Sequence, residues 1–171
     1  MNFSDVMQNL AIGIVGGIFS SIIVSVVFYV LSEYQKEINT AKKMTNNLRG
    51  IVVQEKIKND YHSKYFDRYE LAERYFKKSV DDFEKFDPKI FKYEIRKAMC
   101  NIYYEMLTDG KYYNCKWDDK LISDTSALVE KNLDIIENCE KNFAKGFLKR
   151  VFTNRVVIVA GLIFLLIILE A

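Results

Sequence analysis

The fold is decided by the stretch from Leu10 to Leu31, which reads LAIGIVGGIFSSIIVSVVFYVL. It holds 22 residues without a charged side chain. A helix of this length covers roughly 33 Å, which is enough for a hydrocarbon core of about 30 Å. A cleavable signal peptide is the alternative, but such peptides begin with basic residues, and residues 1–9 contain none. We therefore expect a short external N-terminus over residues 1–9 and an uncleaved transmembrane helix over residues 10–32.

A second apolar run lies near the other end of the chain, where Val156 to Leu169 reads VVIVAGLIFLLIIL. Fourteen residues cover only about 21 Å, a length more typical of a buried or interfacial helix. Val151 and Phe152 extend the apolar stretch, and Arg155 can snorkel to the headgroups. We expect a second transmembrane helix over residues 151–171, with a helix lying along the interface as the alternative.

Basic residues lie only on the inner flanks of the two segments. All 25 Lys and Arg fall between Lys36 and Arg155, and outside residues 33–155 the only charged side chains are Asp5 and Glu170. The residues that flank the two segments most closely are Lys36, Lys42, Lys43, Arg49, Lys141, Lys145, Lys149, Arg150 and Arg155. Because cytoplasmic loops carry the excess of Lys and Arg, we expect a multi-pass inner-membrane protein with both termini outside and residues 33–155 in the cytoplasm. A soluble globular enzyme, a disordered tail protein and a disulfide-stapled secreted domain are excluded.

The cytoplasmic segment follows a helical period throughout. Phe86-Asp87-Pro88 predicts a helix boundary, with Asp87 as N-cap, Pro88 in the first turn and Phe86 packing on Phe91. The helix after this boundary should turn five residues inward: Phe91, Ile95, Ala98, Ile102 and Met106. We expect the last helix to begin near Asp119 or Ser123 and to lead into the second apolar segment, with Gly146 as a joint. The fold class is thus an all-α membrane protein, with two transmembrane helices bracketing a cytosolic three- to four-helix bundle over residues 61–150.

Between the first span and this bundle, residues 33–60 form a stalk or linker helix. Its apolar positions recur at alternating steps of four and three, and comprise Tyr34, Ile38, Ala41, Thr45, Leu48 and Val52. Such a seam pairs with an identical helix in a coiled coil, or packs on the protein's own domain. Both interpretations stay open, and Gly50 can end the helix early because glycine is a poor helix former.

Small residues recur every fourth position in the first span, at Gly13, Gly17, Ser21 and Ser25. Small residues let helices approach closely in lipid, where the hydrophobic effect does not drive association. We therefore expect this face to pack against another helix. The partner is either the second span, through Ala160 and Gly161, or the same helix of another copy.

No constellation of side chains predicts catalysis. His62 is the only histidine, and no acidic residue lies three or four positions from it. The acidic groups Asp81-Asp82-Glu84 and Asp118-Asp119 are typical of a solvated face and of a helix start, respectively. Cys100, Cys115 and Cys139 lack a CxxC spacing, and in the cytoplasm they stay reduced. We expect no enzyme, no cofactor and no metal.

The charge pattern argues against nucleic acid as a partner and in favour of lipid headgroups. Acidic residues interleave with the basic ones between Tyr61 and Lys97, which argues against nucleic acid, since such binding needs net phosphate neutralisation. Near the membrane, four basic residues should attract lipid headgroups: Lys145, Lys149, Arg150 and Arg155.

The plan of two membrane segments around a small helical domain resembles, in architecture, small membrane effectors of bacterial anti-phage systems. We expect a non-catalytic, self-associating homo-oligomer whose cytosolic domain binds or senses an unknown protein partner and whose spans assemble, perturbing the membrane on activation. The alternative is a static anchor or scaffold that recruits a soluble protein. An enzyme acting through His62 or the acidic groups is a third hypothesis, which His62→Ala tests.

Overall fold

The structure, a computed structural model, describes residues 3–58, 67–108, 110–113 and 115–170, with residues 3–9, 11, 12, 111, 164 and 167–170 described by their backbone alone. These parts of the chain contain helices and no strand. The seven α-helices are α1 (Phe3–Met44), α2 (Asn46–Lys56), α3 (Arg68–Asp82), α4 (Tyr93–Ile102), α5 (Asp119–Lys141), α6 (Phe143–Phe152) and α7 (Arg155–Glu170). Short 3-10 turns at Pro88–Ile90 and Gly110–Tyr112 and a π turn at Tyr103–Leu107 connect them. The all-helical prediction is confirmed over the described residues.

The helices form two compact units. The membrane unit comprises Met1–Gln35 and Phe143–Ala171, and the domain unit comprises Lys36–Asn142. The domain thus differs from the expected bundle over residues 61–150, because it takes in most of the expected stalk. The physical reason is burial, since Ile38, Leu48 and Val52 of the stalk are 3%, 0% and 7% exposed.

The core of the domain unit lies between α2, α3, α4 and α5. Its largest fully buried side chains are Phe76, Phe91, Leu48, Ile51, Ile95, Met99, Ile102, Met106, Ile122 and Ile136. All five residues expected to turn inward after the Pro88 boundary are buried, which confirms that helical face. Phe76 lies at an aromatic cluster with Tyr112, Tyr113 and Trp117, whose ring centroids are 5.4–5.7 Å from its own.

Aspartate side chains cap α3, the 3-10 turn at Pro88–Ile90 and α5, whereas α2 and α4 start without a side-chain cap. Asp87 accepts a hydrogen bond from the backbone N–H of Lys89 at the 3-10 turn that Pro88 opens. Phe86 stacks on Phe91 with ring centroids 5.9 Å apart. Asp118 caps α5 by accepting from the N–H of Leu121 at 2.7 Å. The start of the last helix near Asp119 is confirmed. Asp87 and Pro88 open a 3-10 turn rather than the expected α-helix, which begins only at Tyr93.

Two glycines that were expected to interrupt helices lie inside continuous helices instead. Gly50 does not end a helix, because α2 continues through it to Lys56. A Cβ on Gly50 would stand 2.5 Å from ring carbons of Tyr75, so glycine is needed here for a close approach between α2 and α3. Gly146 is not a joint either, since it lies within α6, where a Cβ would overlap the hydroxyl of Tyr34.

The joints lie instead at polar residues on either side of α6. Asn142 ends α5, and α7 starts after Asn154, whose Oδ1 accepts from the N–H of Val156 at 2.9 Å. Val151 and Phe152 therefore belong to α6 rather than to the second apolar helix. The expected extension of that helix through these two residues is wrong, because Asn154 offers the backbone a cap that competes with a continuous helix.

One helix in the described part of the chain, Gly13–Met44, is long and apolar enough to cross a membrane. Only 6% of its most apolar window is buried, whereas a core helix of a soluble protein would be mostly covered. The second apolar helix, α7, has 16 residues, which corresponds to about 24 Å and is shorter than a typical hydrocarbon core of about 30 Å. The structure therefore supports membrane association through one apolar helix near the N-terminus.

Candidate helix-packing and lipid-facing site

The two serine hydroxyls on the small-residue face of α1 are hydrogen-bonded within the helix. Ser21 donates a hydrogen bond to the carbonyl of Gly17 at 2.9 Å, and Ser25 donates to the carbonyl of Ser21 at 2.8 Å. Both hydroxyls thus find acceptors inside their own helix. In lipid the face can meet another helix without leaving a buried hydroxyl unpaired, which would cost free energy.

This face is also open. Gly13, Gly17, Ser21 and Ser25 are exposed, and together with Ile14, Ile18, Ile22 and Val26 they line a shallow groove. A Cβ placed on Gly13 or Gly17 would meet no atom within 4 Å. No element in the described part of the membrane unit therefore covers the small residues.

The groove that α1 shares with the second apolar helix lies mainly on a different side of α1, and Ile22 borders both grooves. Phe19 and Ile22 share an apolar cleft with Arg155, Val156, Val159, Ala160 and Ile163 of α7. At 100° per residue, Phe19 is roughly 180° from the mean direction of the small-residue face. Ala160, which is 6% exposed, thus lines a cleft away from that face. Of the two expected partners for the small residues, the structure does not bring the second span to them.

The seam residues are buried within the protein. Tyr34, Ile38, Ala41, Thr45, Leu48 and Val52 are at most 7% exposed. Thr45, at the seam's polar position, donates to the carbonyl of Ala41 at 2.8 Å. Burial inside the chain favours packing on the protein's own domain over pairing with an identical helix.

Tyr34 belongs to the membrane unit and is held by α6. Its ring stacks on Phe143 with centroids 4.8 Å apart and an interplanar angle of 16°. The guanidinium carbon of Arg150 lies 4.0 Å from the centroid of the same ring, within the range of a cation–π contact. Together with the close approach of Gly146, these contacts fix α6 against α1.

The four expected headgroup residues are consequently not equivalent. Lys145, Lys149 and Arg155 are exposed, whereas Arg150 is half-buried against Tyr34. Leu148 and Phe152, which are 50% and 71% exposed, lie on the outer side of the same helix. Exposed apolar and basic side chains on one helix are typical of a membrane interface.

The residues considered for catalysis have structural partners where the structure describes them. Asp82 accepts a hydrogen bond from Asn47 at 2.7 Å, Asp118 caps α5, and Asp119 pairs with Arg68. His62 lies outside the described residues. Within the described chain no cluster of three His, Cys, Asp or Glu side chains could hold a metal ion, and the three cysteines are thiols.

Two buried ionisable side chains were not singled out by sequence reasoning. Glu37, 3% exposed, accepts from the backbone N–H of Lys92 at 2.6 Å and so ties α1 to the start of α4. Arg68, 7% exposed, donates to the carbonyl of Gln54 at 3.0 Å. Both partners are distant in sequence, so helical periodicity carries no signal for them.

Three ion pairs join α1 and α2 to α5. Lys42, Arg49 and Lys56 are spaced by seven residues and pair with Glu140, Glu137 and Glu130, respectively, at 2.7–2.8 Å. The hydrogen bond from Arg49 and its charge hold the pKa of Glu137 below its ordinary value of 4.5. The hydrogen bond and charge of Glu130 raise the pKa of Lys56 above 10.5. The descending order of the partners shows that α5 runs antiparallel to α1 and α2 within the domain unit.

No known protein family, curated protein or solved structure matches the chain.

Proposed function

We propose that this protein is a non-catalytic inner-membrane protein that self-associates through the small-residue face of α1. One observation carries the proposal: the face that lets helices approach closely is uncovered, while α7 lies along another side of the same helix. Both serines on the face are already hydrogen-bonded within α1. A second copy of α1 is therefore the partner that fits.

The proposed placement in the membrane rests on the two apolar segments and on the charge pattern around them. Both apolar segments cross the bilayer, both termini lie outside, and residues 33–155 lie in the cytoplasm. The short length of α7 is compatible with crossing because Arg155 reaches toward the headgroups and the bilayer thins locally. Nine basic residues on the inner flanks and none on the outer flanks support this orientation.

The domain unit would bind or sense a cytoplasmic protein partner, and its signal would reach the assembled spans through α1, perturbing the membrane. The continuity of α1 from Phe3 to Met44 supports such coupling. The structural partners of Asp82, Asp118 and Asp119 support a non-catalytic role. The anchor or scaffold alternative shares the same fold and differs in needing no self-association.

Cross-linking in native membranes tests the proposed interface. In a chain whose native cysteines are replaced by serine, Ser21→Cys should form a disulfide-linked dimer on mild oxidation. Phe19→Cys, on the side that faces α7, serves as the matched control and should remain monomeric. Equal cross-linking at both positions would mean random collision, and no cross-linking at Ser21→Cys would favour the anchor.

A further inference from the structure

The corner where the 3-10 turn at Pro88–Ile90 leads into α4 exposes apolar and basic side chains together. Ile90 and Tyr93 are 49% and 47% exposed. Residues 89–97, which we call the basic corner, hold one acidic residue, Glu94, and four exposed basic residues, Lys89, Lys92, Arg96 and Lys97. Residues 36–142 as a whole are nearly neutral, with 21 basic and 20 acidic residues. Positive charge in the domain unit is therefore concentrated at the basic corner.

A buried carboxylate ties the basic corner to the end of the domain unit where α1 enters it. Glu37, 3% exposed, accepts a hydrogen bond from the backbone N–H of Lys92 at 2.6 Å. Glu37 follows Leu31, the last residue of the apolar run, by six residues. This separation corresponds to about 9 Å along the continuous helix α1. The basic corner is thus held to α1 within a short stretch of chain from the proposed span.

Distance, charge and side-chain type together favour a lipid surface as the partner of the basic corner. The negative potential of a bilayer with anionic lipids reaches about 8 Å from its surface at physiological ionic strength. Tyrosine is enriched at the boundary between hydrocarbon and water, and basic residues beside exposed apolar ones are typical of segments that bind this boundary. An acidic protein could pair with the same charges, but the tether through α1 keeps the bilayer at high effective concentration. The bilayer is therefore the favoured partner.

We propose that the basic corner docks the domain unit on anionic phospholipids of the membrane that holds α1. Lys89 and Lys92 contact headgroup phosphates, and Ile90 and Tyr93 enter the interfacial layer. The inference rests on the membrane location proposed above. It adds the lipid class that the protein selects and the surface of the domain unit that recognises it, and it does not depend on self-association through α1.

Fluorescence quenching in reconstituted vesicles tests the inference. In the full chain with its native cysteines replaced by serine, a dye is attached at Ile90→Cys, and a phospholipid spin-labelled near its headgroup serves as the quencher. The dye should be quenched in vesicles of phosphatidylglycerol and phosphatidylcholine, and much less in phosphatidylcholine alone. Ser123→Cys is the matched control and should stay unquenched in both. The exposed Ser123 lies near the start of α5, at the other end of this helix from Glu140, which pairs with Lys42 of α1.

Three variants of the chain with the dye at Ile90→Cys locate the contact. Lys89→Gln with Lys92→Gln should lower the ratio of docked to undocked domain about 30-fold in the mixed vesicles, because each basic residue near the surface contributes about fivefold. Lys116→Gln with Lys120→Gln removes the same charge around the start of α5 and should leave the quenching unchanged. Tyr93→Asn should weaken docking and keep the fold, since φ of Tyr93 is 49° and asparagine adopts this left-handed region more readily than tyrosine.

A dye at Val15→Cys separates a failure of this inference from a failure of the proposed function. Val15, 39% exposed, lies in α1 outside both grooves. Absence of quenching at Val15→Cys would contradict the membrane location and with it the docking. Quenching at Val15→Cys with none at Ile90→Cys would contradict the docking alone, as expected for a surface that binds an acidic protein instead. Quenching at Ile90→Cys that is equal in both kinds of vesicle, or that survives Lys89→Gln with Lys92→Gln, would also overturn the inference.

Discussion

At the scale of single residues, close approaches between helices explain why glycine occupies two helix interiors. Composition marks Gly50 and Gly146 as breaks, because glycine costs about 1 kcal/mol relative to alanine in a helix. In the structure each faces a tyrosine ring from a distant part of the chain, Tyr75 and Tyr34, respectively. Sequence reasoning could identify the glycines and not their partners, because nothing local encodes a contact between residues 50 and 75.

Gly50→Ala is expected to destabilise the domain unit. The new Cβ would stand 2.5 Å from Cγ of Tyr75, and a ring atom so near the backbone cannot swing clear. Overpacking typically costs about 1–3 kcal/mol and the gain in helix propensity returns about 1 kcal/mol, so we expect a net loss of about 1 kcal/mol. Chemical unfolding of the full chain, followed by the fluorescence of the buried Trp117, measures it.

Gly110→Ala is the control for that substitution. A Cβ at Gly110 meets no atom within 4 Å, so the unfolding midpoint should stay unchanged. A Gly50→Ala protein as stable as the unmodified chain would contradict a close approach between Gly50 and Tyr75.

The ion pair between Arg49 and Glu137 predicts a pH dependence below neutrality. Because the pKa of Glu137 is lowered in the folded chain, the pair stabilises the fold above pH 4.5 and this stabilisation is lost as the pH falls through the lowered pKa. The pair is partly exposed, so its contribution is on the order of 0.5 kcal/mol.

Glu137→Gln should therefore lower stability at pH 7 and lose less stability than the unmodified chain on going from pH 7 to pH 3. Glu84→Gln, at an exposed position, should follow the unmodified chain over the whole range. Urea midpoints at several pH values measure both, and parallel curves for Glu137→Gln and the unmodified chain would contradict the assignment. For Lys56 the sign is opposite, since its raised pKa gives a stabilisation that is lost only as the pH rises above 10.5.

At the scale of elements, helix faces were predictable and helix ends were partly so. Asp118 marks the start of α5 through local capping chemistry, and the structure confirms it. Asp87 and Pro88 mark a break between helices in the same way, but they start a 3-10 turn and α4 begins only at Tyr93. The break at Asn154 uses the same chemistry, yet the apolar residues on both sides favoured a continuous helix over residues 151–171. The seam on α1 and α2 was predicted as a buried stripe, but its periodicity alone could not distinguish a second copy from the protein's own α5.

Leu48→Ala tests which of these partners covers the seam. Leu48 is 0% exposed, so its truncation should cost about 2–5 kcal/mol of domain stability and leave the oligomeric mass unchanged. Val53→Ala, at a position 49% exposed on the same helix, should shift stability by less than about 0.5 kcal/mol. A Leu48→Ala protein with unchanged stability and a reduced oligomeric mass would instead indicate a coiled-coil stalk.

At the scale of the whole molecule, the distribution of basic residues is the main support for the proposed orientation of the chain in the membrane. All three native cysteines lie within residues 33–155, which the proposal places in the cytoplasm. A membrane-impermeant maleimide applied to intact cells should therefore leave the unmodified chain unlabelled and should label a Ser4→Cys variant. Inverted vesicles should give the reverse pattern for the native cysteines. Labelling of the native cysteines in intact cells would contradict the orientation.

The organisation of the membrane unit could be predicted only in outline. The small residues at every fourth position identify a packing face from sequence alone, whereas the side of α1 that α7 covers depends on Tyr34, Phe143 and Arg150 meeting across more than a hundred residues. That contact requires the fold.

The most direct test of the central claim is the mass of the full chain in mild detergent, compared with a Gly13→Leu, Gly17→Leu variant. Leucines at these open positions would hold a second helix away from the face, and we predict a defined oligomer that dissociates in the variant. Gly16→Leu, which adds the same side chain in open space outside the groove, should leave the oligomer intact. A monomer in every case, or an oligomer that survives both leucines, would contradict self-association through α1.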